Sequence, residues 1–166
     1  LRPAALSGTV EEANGAAIAG VEITLTGTDD LGNPVTLTTT TATDGSYSFE
    51  DLRPGTYTIT ETQPIAFGDF DQVSDDPTAD ITVTNVISNL VLDPGETVGG
   101  NTFVEERATL SGHVFVDQDD DGVYTPGIDL PLDGEEVTLT GTDVLGNDVT
   151  IVATTGPTGL FEFVDL

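Results

Sequence analysis

Among the residues of this chain, those most able to do chemistry lie in Asp117-Gln118-Asp119-Asp120-Asp121-Gly122-Val123-Tyr124. Carboxylates at alternate positions 117, 119 and 121, followed by a glycine, can curl around one hard cation and present oxygens from inside the turn. Calcium suits such a loop, since it accepts six to eight oxygens at loose angles, and a main-chain carbonyl such as that of Val123 completes one side. Gly122 supplies the positive φ of the sharp turn. Counted from Asp117, the twelfth place, where a bidentate acid is expected, falls on Ile128, and the nearest acid is Asp129. The loop therefore holds one extra residue or binds weakly. The expected ligands of a Ca2+ ion are Asp117, Asp119, Asp121, the Val123 carbonyl and Asp129. The plain alternative is an Asp-Gly surface turn whose acids are solvated.

No other chemistry stands out. His113 is the single histidine, and there is neither cysteine nor lysine, so a nucleophile with a neighbouring base has few possible members. Close carboxylate pairs arise by number alone among 30 Asp and Glu. No Gly-rich phosphate loop is evident, and an enzyme is not expected.

The 166 residues include 3 Lys and Arg against those 30 acids, for a formal net charge of −27. Nucleic acid and anionic membrane surfaces both require a basic footprint, so neither is an expected partner. No apolar run approaches the roughly 18 residues of a membrane span, so no membrane insertion is expected. A start at Leu1 suggests a mature or excised piece of something longer. Without cysteine, composition does not choose between oxidising and reducing compartments.

One unit occurs twice. Leu6-Ser7-Gly8 recurs as Leu110-Ser111-Gly112, and residues 21–52 recur at 135–166 with more than half of the positions identical. The gap between the two blocks is longer in the second copy, and the acidic loop fills the extra length. The domains are placed at 1–105, which lacks the loop, and 106–166, which carries it and stops at the counterpart of Leu52. Repetition of this kind indicates an array of domains.

Both copies alternate apolar and polar residues with period two, as at Val21, Ile23 and Leu25 or Tyr57 and Ile59, and turn chemistry at Asp44-Gly45 and Pro54-Gly55 separates the runs. Strands are predicted near 6–12, 19–28, 34–43, 46–51, 55–62, 79–92 and 97–105. The fold class is all-β: a tandem antiparallel β-sandwich, Ig-like or prealbumin-like, with seven strands per domain and the second domain incomplete. If strands alternate in direction, the exit of the first, the 63–78 connection and the end of the seventh share the pole where the next domain attaches. The acids of that connection, Asp69, Asp71, Asp75 and Asp76, with Asp80 just beyond, read as solvated charge; the sharper alternative is a cation held at the junction.

These residues resemble a known family. Leu110-Ser-Gly-His-Val-Phe-Val-Asp117-Gln-Asp119-Asp-Asp121-Gly122, Val137-Thr-Leu-Thr-Gly-Thr-Asp143, and Gly45-Ser-Tyr-Ser-Phe-Glu-Asp-Leu-Arg-Pro-Gly-Thr-Tyr-Thr-Ile-Thr-Glu-Thr-Gln63 together are similar to the SdrD B-like domain, a relative of the Cna B-type repeats of bacterial surface adhesins. The resemblance implies an extracellular, cell-surface, calcium-binding sandwich strung in tandem as a stalk. Some Cna B-type relatives carry an internal Lys–Asn isopeptide bond, which a chain without lysine cannot form.

The expected role is structural: a calcium-stiffened spacer whose partners are neighbouring copies of the same domain, within the chain or between chains. Two alternatives are a filament subunit, assembled by strand complementation in which a neighbouring chain completes the second sandwich, and a carbohydrate-binding module, for which the sequence shows no aromatic platform.

Overall fold

A computed structural model describes residues 2–143 and 145–166. The chain divides into two compact units, residues 1–106 and 107–166. The strands of the first are β1 (Ala4–Glu12), β2 (Glu22–Asp29), β3 (Pro34–Thr40), β4 (Ser46–Leu52), β5 (Gly55–Glu61), β6 (Gly68–Val73), β7 (Asp80–Val83), β8 (Val86–Leu92) and β9 (Thr97–Glu106). They form a four-stranded sheet in the order β4-β1-β9-β6 and a five-stranded sheet in the order β3-β2-β5-β8-β7. Period-two alternation explains why the sheets pack. Ile23 and Leu25 of β2, Tyr57 and Ile59 of β5, Tyr47 and Phe49 of β4, and Leu6 and Val10 of β1 all turn inward, and one buried cluster joins them to Ile87, Leu90, Leu92 and Phe103. The all-β sandwich expected from the sequence is what forms.

Three details differ from the sequence reading. Unit 1 has nine strands rather than seven. The run at 79–92 is a hairpin, β7 and β8, broken at Thr84 and Asn85, and Asn85 takes φ 61°, which asparagine tolerates. Residues 68–73, expected within a loop, form edge strand β6, whose alternation is hidden because only Gln72 of the six turns inward. The sandwich is also not wholly antiparallel, since β1 and β9 pair in parallel from Ala5↔Thr97 to Glu12↔Glu105. The ends of those two strands therefore share one pole, where β6 begins opposite Glu106.

Gln72 ties the two sheets at their open side. Its Nε2 donates to the carbonyls of Ile81 at 2.7 Å, Val83 at 2.8 Å and Val86 at 3.1 Å, gathering the β7–β8 hairpin. Gln72→Leu keeps the volume but removes that donor. Chemical denaturation is expected to show a loss of about 1–3 kcal/mol, with the hairpin amides exchanging first; unchanged stability would mean that water replaces the amide at no cost.

The second unit contains β10 (Leu110–His113), β11 (Phe115–Val116), β12 (Leu130–Pro131), β13 (Glu136–Thr142), β14 (Asp148–Thr154) and β15 (Leu160–Phe163). They pair antiparallel as β10-β15, β11-β12 and β13-β14. Phe163 is buried, whereas Leu110, Leu130, Val152 and Leu160 remain exposed. The repeated Asp-x-Leu-Gly-Asn motif has the same local cause in both units. Asp29 Oδ1 accepts from the amides of Leu31 and Asn33 and its Oδ2 from Asn33 Nδ2, and Asp143 does the same with Leu145 and Asn147, so each aspartate closes a hairpin tip. These contacts, those from the asparagine first, hold both carboxyls below the usual carboxylate value. Among the described residues no helix is long and apolar enough to cross a membrane.

Candidate metal centre

The acidic loop is the excursion between β11 and β12, and their register decides what it brings together. Phe115 pairs with Pro131 and Val116 with Leu130. Continued one step beyond its last pair, that register leads to Asp117 and Asp129, whose carboxyl oxygens meet at the mouth of the loop. Ile128 precedes that pair and lies half-exposed on the outside. The acid one place later than the usual spacing is thus the one the ladder delivers.

Oxygen atoms of Asp117, Asp119 and Asp129 lie within 4.8 Å of one another. Asp129 is buried: its Oδ1 accepts from the Gln118 amide at 2.9 Å and its Oδ2 from the Thr125 amide at 2.7 Å. Asp117 Oδ1 accepts from the Asp120 amide at 2.7 Å and its Oδ2 from the Gly122 amide at 2.8 Å. The tight turn these bonds enclose uses Asp120 at φ 62° and Gly122 at φ 76°. Asp121 stands outside the convergent group, with its Oδ1 accepting the Val123 amide at 2.7 Å, and Val123 is exposed. The structure thus brings together three of the five expected ligand residues, and places Asp121 and Val123 farther along the same turn.

Electrostatics distinguish Asp117 from Asp119. Backbone hydrogen bonds, led by that from Gly122, hold Asp117 below the usual carboxylate value. Asp119 is pushed up, first by desolvation and then by the charges of Asp121, Asp129 and Asp117. Three convergent carboxyls, of which Asp119 is discouraged from ionising by the charges of its neighbours, form an all-oxygen set suited to a hard cation, whose charge reverses that penalty. The residues present therefore fit calcium.

Tyr124 anchors the far side of the loop. Its ring stacks on His113 of β10 with centroids 4.4 Å apart and tilts against Phe115 of β11 at 5.2 Å. His113 thus packs against the aromatic side chain of the loop.

The acids at 69–80 do not converge. Among the described residues Asp117, Asp119 and Asp129 are the one group of three or more ligand-type side chains close enough to share an ion. Asp76 Oδ1 instead caps Thr78 through its amide and hydroxyl, and Asp80 Oδ1 does the same for Thr82. The sequence reading gave no interior role to two further acids. Glu61 and Glu105 are buried inside unit 1, at 3% and 1% exposure. The signal was available, because Glu61 shares the inward parity of Tyr57 and Ile59 on β5, and Glu105 that of Phe103 on β9.

Fold and loop together define an all-β sandwich protein with a carboxylate-lined turn. The chain belongs to the carboxypeptidase regulatory-like domain family, which its residues 5–97 match. It is 30% identical over 155 residues to colossin-A of Dictyostelium discoideum, covering 81% of this chain and 1% of that protein. Two solved structures show looser likeness. The Bacillus anthracis TIE protein gives a TM-score of 0.47 at 18% identity over 98% of this chain and 26% of its own. The full-length major pilin SpaD from Corynebacterium diphtheriae gives 0.42 at 16% identity over 93% and 37%. The chain thus spans 1% of colossin-A and well under half of these two structures.

Proposed function

We propose that this chain is a pair of structural repeat domains from an extracellular surface protein, of the SdrD B-like kind, in which calcium cross-links the 117–129 loop and stiffens the second domain. The observation that carries the reading is the β11–β12 register, which sets Asp117 beside Asp129 and leaves Asp119 facing both. Asp117, Asp119 and Asp129 hold the ion, and Asp121 and the Val123 carbonyl complete its shell as the turn tightens. The ion supplies charge neutralisation and a cross-link between the two strand ends. It takes no part in a reaction, and the role is that of a spacer whose neighbours are copies of the same domain. The large acidic excess is compatible with a surface location.

The test is a calorimetric calcium titration, with thermal melts in calcium and in chelator at fixed ionic strength. A ligand at 100 times its Kd stabilises by about 2.7 kcal/mol, so unit 2 is expected to melt several degrees higher in calcium. Asp119→Ala combined with Asp121→Ala is expected to abolish that rise. An equal rise in the double variant would remove this loop from the argument. Because desolvation and neighbouring charge raise the Asp119 carboxyl, the calcium effect is expected to fade as the pH drops toward the acid range.

A further inference from the structure

Unit 1 carries a buried acid pair that the calcium reading does not use. Glu61, at the end of β5, has both carboxyl oxygens sealed from solvent and without a hydrogen-bond donor. Glu105, near the end of β9, lies within hydrogen-bonding reach of it from the opposite sheet. Two ionised carboxylates only accept hydrogen bonds, so that contact needs a proton on one of them. We propose that Glu61 and Glu105 share one proton across the interior of unit 1, making a clasp that holds at mildly acidic pH and opens as the pH rises.

The surroundings decide which acid carries the proton. Gln63 Oε1 accepts from Asn85 Nδ2 at 2.8 Å, which fixes the amide with its NH2 toward Glu105, and Gln63 Nε2 donates to Glu105 Oε2 and to the carbonyl of Phe67. A carboxyl already accepting that bond is the better acceptor, so Glu61 is the donor. The other ionisable groups facing the pair do nothing to ionise it. Asp69 of β6 stands opposite Glu105 in the register, and Glu12 of β1 lies beside it on the other flank. Tyr47 of β4 gives its hydroxyl proton to the Asn101 carbonyl at 2.6 Å, not to Glu61. Burial first, then the charge of Glu105, its hydrogen bond and the charge of Asp69 push Glu61 up to about 8. Glu105 is displaced upward as well, chiefly by burial.

The direction of the pH effect follows. The unfolded chain gives up this proton near 4.5, whereas the folded chain keeps it to about 8. The clasp therefore contributes fully below about 4.5, and its contribution is lost as the pH climbs to about 8. Its position gives the loss a consequence. Glu105 is the penultimate residue of β9, beside the start of β6, so like charges appearing in the interior force apart the pole at which the chain leaves unit 1.

The experiment compares the full chain with Glu61→Gln in chelator at constant ionic strength, following β5 and β9 by hydrogen exchange alongside thermal melts. Glutamine matches the protonated acid in shape, donates to Glu105 and does not titrate. The wild type is expected to lose roughly 5–10 °C of unit 1 melting temperature between about pH 5 and pH 8.5. Glu61→Gln is expected to flatten that slope and, at the upper pH, to melt above the wild type, which a merely damaged core would not do. A second readout needs no variant: the infrared band of a protonated carboxyl is expected to persist at about pH 6.5, where ordinary Asp and Glu are ionised, and to vanish above about 8. Absence of that band, equal slopes in the two proteins, or a wild-type slope cancelled by calcium or sodium at constant ionic strength would overturn the shared proton.

Discussion

Asp129→Ala is expected to unfasten the acidic loop even in chelator, whereas Asp119→Ala is expected to leave the loop closed and remove only its response to calcium. The two acids belong to one cluster but have different work. Asp129 is buried and holds the Gln118 and Thr125 amides at opposite ends of the turn, at 2.9 and 2.7 Å. Removing it orphans two donors and two charge-assisted bonds, at a cost of about 2–4 kcal/mol. Tyr124 directly precedes Thr125 within the loop, so its stack on His113 is expected to loosen too. Hydrogen exchange at Gln118 and Thr125 and the near-ultraviolet signal of Tyr124, in chelator, measure this. Both amides are expected to lose protection in Asp129→Ala and to keep it in Asp119→Ala. Continued protection in Asp129→Ala would show that the β11–β12 ladder and the aromatic stack close the loop without that carboxylate.

That difference marks the boundary of what the sequence made legible. Spacing and residue type were enough to pick out the loop, because alternating acids before a glycine are a local pattern. They could not say that Asp129 would be reached through strand register, since pairing of Val116 with Leu130 is a contact between residues distant in the chain. The same limit explains β6. Its acids, Asp69 and Asp71, look like loop residues because an edge strand exposes most of its side chains, and only Gln72 shows the inward parity. Inward strands such as β2 and β5 were legible because both their alternation and their apolar residues agree. Glu61 was passed over for the converse reason: parity placed it inside, but its charge suggested outside, and only the partner across the sandwich resolves the conflict. The parallel β1–β9 pair was not legible either, since the hydrophobic pattern of a strand does not record the direction of its neighbour.

Gly27→Ala is expected to destabilise unit 1 severely, while Gly141→Ala, at the matching place in the repeat, is expected to be tolerated. Both glycines sit in the same Thr-Gly-Thr-Asp motif, and neither takes a left-handed backbone, so the difference is one of space. A Cβ on Gly27 would press into the Thr56 carbonyl oxygen and lie 2.6 Å from the Tyr57 ring and 2.9 Å from its Cα. Two of those three neighbours are backbone of β5, which is paired to β2 along its length, so relief requires parting the ladder. Tyr57 is fully buried, and its hydroxyl donates to the Arg53 carbonyl at 2.8 Å, so its ring cannot swing away without a second loss. Overpacking of this sort costs about 1–3 kcal/mol and occasionally more, a large part of the ~5–15 kcal/mol that holds a domain folded. At Gly141 nothing lies within 4 Å of the added carbon. There the substitution removes backbone freedom from the unfolded chain, an effect of about 0.4–1 kcal/mol in favour of folding. Denaturant midpoints for the two single variants, each read on its own unit by hydrogen exchange, make the comparison. A Gly27→Ala unit as stable as the wild type would mean that β5 shifts along β2 more freely than their continuous pairing implies. A large loss at Gly141 would mean that β13 is covered in solution, and that its glycine is held to the same close approach as its counterpart.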